Sequence, residues 1–503
     1  MRAASIPAPF VPRARGALVA VGALLLAAAC ASRVGRPPTA VAGPTPLPPL
    51  PTADQIAWHE RAYYAFVHFN MNTFTAREWG EGRESPDTFA PTELDCRQWV
   101  RAFRDAGMKG VILTAKHHDG FCLWPSKTTE HTVARSKWKD GKGDVVRELA
   151  DACREYGLAL GLYLSPWDRN HPAYGDSERY NAIFRAQLEE LCTGYGPLFE
   201  VWFDGACGEG PNGKRQVYDW PSFVAVVREH QPHAVIFSDA GPDVRWVGNE
   251  DGIAGETSWA MLRRDEFFPG TPNSGPLTPG QEDGTHWVPP ECDVSIRKGW
   301  YWKESEDDSV KSAEELERLW LASVGRNANL LLNVPADRRG KIPDHEVAVL
   351  KELRARLDAT FAKDLARDAK ASASCTRRGR ASSAPCLSID SPYEAAFACD
   401  GERATAWAAP DDALRAELVF ELPEARTFDR VLLQEPVELG QRVRAFHVDV
   451  EEHGAWRELA RGTTIGFRRI LAVPRTNAAK VRLVVEDARA APAIATFGLF
   501  ATP

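Results

Sequence analysis

Two stretches share one design: Gly110-Val111-Ile112-Leu113-Thr114-Ala115-Lys116-His117-His118-Asp119-Gly120-Phe121 and Leu198-Phe199-Glu200-Val201-Trp202-Phe203-Asp204-Gly205. Each is a short apolar run that stops on histidines or a carboxylate followed by glycine. A strand buried on both faces, as in a parallel sheet, reads as such a continuous run rather than an alternating one. Outward from these two, the pattern recurs at 63–70, which ends in His68-Phe69-Asn70, and at 159–165, which carries Tyr163 and leads into Pro166-Trp167-Asp168. It recurs again at 234–238 and 329–334. Helical periodicity fills the gaps at 92–107, 144–157, 177–195, 221–230 and 312–325, with Gly107 as a stop signal. This rhythm predicts an α/β fold, one (β/α)8-like TIM barrel rather than two doubly wound sheets. Residues 240–306 are poor in helix signals, so the second half is expected to be irregular.

A barrel of this kind builds its chemistry at the C-terminal ends of its strands. Sorted by that rule, the polar residues converge: His68, then His117 and His118, then Tyr163, then Trp202 and Asp204, then Arg245-Trp246-Val247-Gly248-Asn249-Glu250. Carboxylates framed by histidines and aromatic rings suit glycoside hydrolysis. One ionised carboxylate attacks the anomeric carbon, and a second carboxyl about 5–5.5 Å away protonates the leaving oxygen. The negative neighbour raises the second group's pKa and keeps it protonated near neutrality. Sixteen tryptophans fit this picture, because aromatic faces pack on the C–H face of a sugar ring.

At these residues the chain resembles glycoside hydrolase family 29, the α-L-fucosidases, from about Trp58 to Leu353. The matching motifs are Val67-His68-Phe69, Lys116-His117-His118-Asp119-Gly120-Phe121, Gly161-Leu162-Tyr163-Leu164-Ser165-Pro166-Trp167 and Val201-Trp202-Phe203-Asp204-Gly205. The resemblance implies a retaining enzyme without cofactor, with Asp204 as nucleophile. It implies that His68, His117, His118, Tyr163, Trp202 and Arg245 line the fucose subsite. The segment ending in Glu250 resembles the subgroup acting on α-1,3- and α-1,4-linked fucose in branched, Lewis-type glycans, and this makes Glu250 the acid/base. Glu256 and Glu291 are the competitors; Glu291 could instead contact the aglycone sugar. Glu78-Trp79, in the long loop after the first strand, is expected to cover the sugar.

Two rival classes use the same residues. A metal-dependent hydrolase could recruit His117, His118, Asp119 and Asp204, but adjacent side chains on a strand face opposite ways, and no HxH, HExxH or paired-cysteine motif supports it. A non-catalytic sugar-binding protein would not need both Asp204 and Glu250. Composition excludes other classes. With 44% hydrophobic and 26% charged residues the chain is globular, and a net charge of −8 argues against a nucleic-acid partner.

The ends of the chain read differently. Arg2, Arg13 and Arg15 precede an apolar run at 17–29 and Cys30, a secretory signal whose Leu26-Ala27-Ala28-Ala29-Cys30 resembles a bacterial lipobox. The expected layout is a signal peptide at 1–29, a lipidated Cys30 with a proline-rich tether over 30–53, the barrel at 54–362 and a linker at 363–374. Export and a lipid anchor in the cell envelope follow from it. Beyond 375, short alternating runs at 416–421, 430–433, 445–451, 480–485 and 495–500 argue for an antiparallel β-sandwich. Asp400-Gly401, Thr405-Ala406-Trp407 and Gly440-Gln441-Arg442-Val443 resemble discoidin-like domains, for which packing on the barrel is the expected role. Of the ten cysteines, Cys375, Cys386 and Cys399 cluster late, and one bridge among them is conceivable in an oxidising envelope.

Overall fold

In the computed structural model residues 41–378 and 391–503 are described. The signal-type segment, Cys30 and Cys386 lie outside them. Helix α1 (Ala53–Arg61) starts on a capping box between Thr52 and Gln55 and leads into β1 (Tyr63–Val67). A short α2 (Met71–Thr75) and then α3 (Cys96–Asp105) precede β2 (Gly110–Lys116). The order continues with α4 (Val145–Tyr156), β3 (Ala159–Leu164), α5 (Ser177–Gly194), β4 (Leu198–Phe203), α6 (Trp220–His230), β5 (Val235–Ser238) and β6 (Val244–Trp246). Aspartates 95, 144, 176 and 219 cap α3, α4, α5 and α6, each accepting a backbone N–H of the first turn.

After β6 the rhythm breaks, as the sequence suggests. A small antiparallel hairpin, β7 (Met261–Leu262) with β8 (His286–Trp287), stands where a helix would be expected. Strand β9 (Pro290–Ser295), α7 (Ala313–Ser323), β10 (Asn329–Asn333) and α8 (Asp344–Phe361) complete the domain. Eight parallel strands close in the order β1-β2-β3-β4-β5-β6-β9-β10, with β10 back on β1. Side-chain alternation splits the core in two. Ala65, Val67, Val111, Leu113, Leu330 and Leu332 pack outward under the helices. Tyr64, Phe66, Tyr163, Trp202, Phe237 and Leu331 fill the interior. Polar residues also point inward, and they rise toward the C-terminal mouth.

The C-terminal domain is an antiparallel sheet of β11 (Lys370–Ala373), β13 (Ala416–Gln434), β16 (Arg469–Ala488), β14 (Val443–Glu452) and β15 (Ala455–Gly462), with β18 (Thr496–Phe500) also on β13. A two-stranded sheet joins β12 (Trp407–Ala408) to β17 (Ala493–Ile494). The runs at 416–421 and 430–433 are one long strand, with a register break between Glu421 and Arg426 that spans Pro423, which has no N–H to give the ladder, and a second between Phe428 and Arg430. Residues 370–373, read from the sequence as linker, form an edge strand of this sheet. The described part of the tether is likewise engaged: Leu47 N–H donates to the Leu439 carbonyl (2.9 Å), and Arg442 donates to that of Thr45 (2.6 Å). Among the described residues Cys375 and Cys399 form no bridge with each other.

The sheet packs against the barrel. Gln441 bridges the Ala260 N–H (2.8 Å) and the Ser258 carbonyl (2.9 Å), Phe467 N–H donates to Asn327 Oδ1 (2.7 Å), and the Phe467 ring stacks on His59 at 4.7 Å.

Candidate active site

Asp204 is the first residue after β4, with Glu200 and Trp202 preceding it on the same inward face. Its Oδ2 accepts the Tyr163 hydroxyl at 2.9 Å and its Oδ1 accepts the Ala206 N–H at 2.7 Å, so both oxygens are oriented. His118 Nε2 lies 3.9 Å from Oδ2. The next residue, Gly205, lies so close to Gly270 that a Cβ there would come within 2.2 Å of the Gly270 nitrogen.

The three histidines form one wall. Strand β2 ends at Lys116, and past it the chain turns so that the His117 and His118 rings lie 4.0 Å apart on the same side, with His68 at 5.5 Å from His117. The opposition expected for adjacent residues on a strand therefore does not hold here. Hydrogen bonding fixes two tautomers. Asn333 donates its amide to the Trp300 carbonyl (2.8 Å) and Ser295 Oγ (2.9 Å), so its oxygen faces His68 and accepts from Nδ1 (2.9 Å), leaving Nε2 as an acceptor. Ser165 donates to the Trp167 carbonyl (2.8 Å) and so accepts from His118 Nδ1 (2.7 Å), which again leaves Nε2 free to accept. Burial lowers the pKa of all three histidines, His68 to about 3 and His117 well below its ordinary value. They are neutral imidazoles at neutral pH. His117 Nδ1 is buried without a partner among the described residues.

Glu250 sits at the rim, where Trp300 Nε1 donates to its Oε2 at 3.3 Å. Desolvation raises its pKa, and the charges of Asp204, Asp251 and Glu78 raise it further. Glu78 ties two loops together, accepting from the Trp300 N–H (3.0 Å) and from Lys303. Trp79 is 57% exposed, with its ring edge-on to Trp167 at 5.7 Å and to His118 at 6.2 Å. Trp202 forms the floor, buried beneath Tyr163 and stacked on Phe237 at 4.0 Å.

Two expectations are corrected and one competitor is set aside. Arg245 does not line the pocket: Val244 and Trp246 take the inner face of β6, and Arg245 is fully buried on the outer one. There its guanidinium donates to the carbonyls of Leu277 (2.9 Å), Trp259 (2.9 Å) and Val288, fastening the loops after β6. Glu291 is sealed in the barrel interior, accepting from Trp202 Nε1 (2.8 Å) and the Tyr64 hydroxyl, too deep to meet an aglycone. Glu256 is paired with Arg326 and with Arg469 (2.7 Å) of the second domain, and so does not take the place of Glu250.

Within the KHHDGF motif the roles divide. Lys116 points outward to Gln187 (2.8 Å), Tyr180 (3.0 Å) and Asp168 (3.3 Å). Asp119 is a buried brace for Asn70 (2.7 Å) and Asn72 (3.1 Å). Among the described residues no group of three or more His, Cys, Asp or Glu side chains is arranged to hold a metal ion. Residues that the sequence reading missed are Asn333, Trp300 and Asp239. Asn333 closes the apolar run Asn329–Asn333 and so satisfied the strand-end rule that found the others. Trp300 and Asp239 lie in loops, where no periodicity marks them.

This geometry has relatives. The α-L-fucosidase family model matches residues 50–359, and the F5/8 type C domain model matches residues 379–496. An Arabidopsis thaliana protein, "Alpha-L-fucosidase 1", is 41% identical over 91% of this chain and 88% of its own length. A solved putative α-L-fucosidase from Bacteroides thetaiotaomicron superposes with a TM-score of 0.82 at 38% identity, covering 91% of this chain and 99% of the other. A Ruminococcus gnavus GH29 fucosidase solved in complex with fucose gives a TM-score of 0.83 at 32% identity, covering 92% and 97%. With the barrel, the histidine wall and the oriented carboxylate in place, the chain belongs to the α-L-fucosidase family of glycoside hydrolases, with an F5/8 type C domain behind its barrel.

Proposed function

We propose that the chain is a retaining exo-α-L-fucosidase that releases α-1,3- or α-1,4-linked L-fucose from branched, Lewis-type glycans. The observation that carries the reading is the pairing of two differently treated carboxyls. Asp204 is oriented by Tyr163 and the Ala206 N–H, and Glu250 at the rim has a raised pKa. Asp204 attacks the anomeric carbon while Glu250 gives its proton to the departing oxygen, forming a glycosyl ester. Glu250 then takes a proton from water, and the oxygen of that water displaces Asp204, so configuration is retained. His68 and His118, whose Nδ1 protons are held by Asn333 and Ser165, offer Nε2 as acceptors to the hydroxyls of a deoxysugar, and the unpartnered His117 Nδ1 supports a polar ligand there. The raised pKa of Glu250 extends the protonated, competent form upward in pH, so kcat/KM falls on the alkaline side as Glu250 ionises.

Three measurements test this. Asp204→Ala abolishes turnover of every fucoside. Glu250→Ala on an activated aryl fucoside regains rate with azide and yields a fucosyl azide; absence of the azide product removes Glu250 from the role. Wild-type kcat/KM on a Lewis-type trisaccharide exceeds that on 2′-fucosyllactose, and the reverse order refutes the linkage assignment. The same proposal places the enzyme in the cell envelope on a Cys30 lipid, and loss of acyl labelling in Cys30→Ser tests it.

A further inference from the structure

Phe268 is 57% exposed, in the loop that joins β7 to β8. Burying such a ring gains about 1.5–3 kcal/mol, so a phenylalanine left in water on a fixed turn is a surface available to a ligand. The holding is explicit. Phe268-Pro269-Gly270-Thr271 is a tight turn closed by the Thr271 N–H on the Phe268 carbonyl (2.9 Å), with Pro269 and a left-handed Gly270 (φ +81°) at its centre. Gly270 N–H donates to Oδ2 of Asp239, the residue after β5. On its inner side the turn rests on Gly205, next to Asp204, with no room for a side chain between. Asp239, in turn, has its carboxyl pushed up to about 6 by burial and by Asp204 beside it.

The turn is therefore clamped to the backbone that carries Asp204, and the exposed Phe268 opens it, two residues from that clamp. Trp79, equally exposed, stands against His118 and Trp167. We propose that Phe268 is the apolar platform of the leaving-sugar subsite, on which the pyranose bonded to fucose lays its C–H face. The inference rests on Asp204 as the nucleophile. Because Pro269, Gly270 and Asp239 fix the turn beforehand, little ordering cost falls on substrate binding.

The test compares an oligosaccharide with α-fucosyl fluoride, whose leaving group has no ring to stack. In Phe268→Ala the ratio of kcat/KM on the oligosaccharide to kcat/KM on the fluoride falls about fivefold to tenfold, and Phe268→Tyr restores it. An unchanged ratio, or one that Tyr fails to restore, overturns the proposal. The oligosaccharide is whichever of the Lewis-type trisaccharide and 2′-fucosyllactose the wild type cleaves faster. A wild-type preference for the α-1,2 linkage thus overturns the linkage reading alone, and the ratio still decides on Phe268.

Discussion

The amide of Asn333 does more for the site than its distance from the chemistry suggests. It accepts from His68 twice, through the backbone N–H (3.2 Å) and Nδ1 (2.9 Å), and donates to Ser295 and to the Trp300 carbonyl. Asn333→Ala leaves two buried donors of His68 without acceptors, a cost of about 1–3 kcal/mol that a urea denaturation midpoint will register. Asn333→Asp keeps the acceptor but sets a carboxylate oxygen against the Trp300 carbonyl, so it lowers kcat/KM as well, because Trp300 also holds Glu250. Steady-state kinetics on both variants check this. At this scale the sequence was a good guide to which residues cluster and a poor guide to which way they face. Spacing along a strand locates its end, but Arg245 and Glu291 were misread because the side of the sheet and the depth in the barrel depend on register. A shift of one residue separates the outer face that Arg245 occupies from the inner face of Trp246.

Among the elements, the barrel strands were legible wherever an apolar run stands against a helical period, which covers β1 to β5 and β10. Strand β6 was not, because three residues carry no periodicity, and its hydrogen bonds to β5 and β9 are what define it. Strand β9 offers a second lesson. Its inward residues, Glu291, Asp293 and Ser295, are polar where an apolar interior is the simple expectation. Glu291 faces Glu200 in the interior, and burial raises both carboxyls, with their mutual repulsion adding to the rise in Glu200. The turn at Gly270 provides an element-scale prediction. In Gly205→Ala the added methyl meets the Gly270 nitrogen and Asp239 Oδ2 (2.5 Å), which are fixed, so the turn must move. The expected loss is about 1–3 kcal/mol of stability and most of the activity, measured by thermal unfolding and by turnover of α-fucosyl fluoride. Full activity in that variant would show that the clamp is not needed.

For the whole molecule, two sets of buried groups set opposite trends of stability with pH. His59 and His68 are held down to about 3 by burial, against 6.5 in the open chain. What they contribute is complete above 6.5 and is lost as pH falls toward 3. Asp119 and Glu346 are pushed up to about 7 by burial, from 3.8 and 4.5. What they contribute is complete below those starting values and is lost as pH rises through 7. Where the windows overlap the slopes oppose, so the thermal midpoint is highest between about pH 4.5 and 6.5 and falls on both sides. A calorimetric series checks this, and a midpoint that climbs steadily to pH 8 would contradict it. Only the histidine and carboxylate content was visible in the sequence, because burial depends on which strands meet. The pairing of Glu256 with Arg469 has a consequence on the same scale. The segment that bears Glu250 is moored at one end by the outer face of β6 and at the other by a sheet encoded some two hundred residues later. Selection on the placement of Glu250 is therefore exerted on both halves of the gene at once. A recombinant that joined this barrel to a different C-terminal module would keep every residue of the pocket and lose one of the two anchors of the segment that bears Glu250.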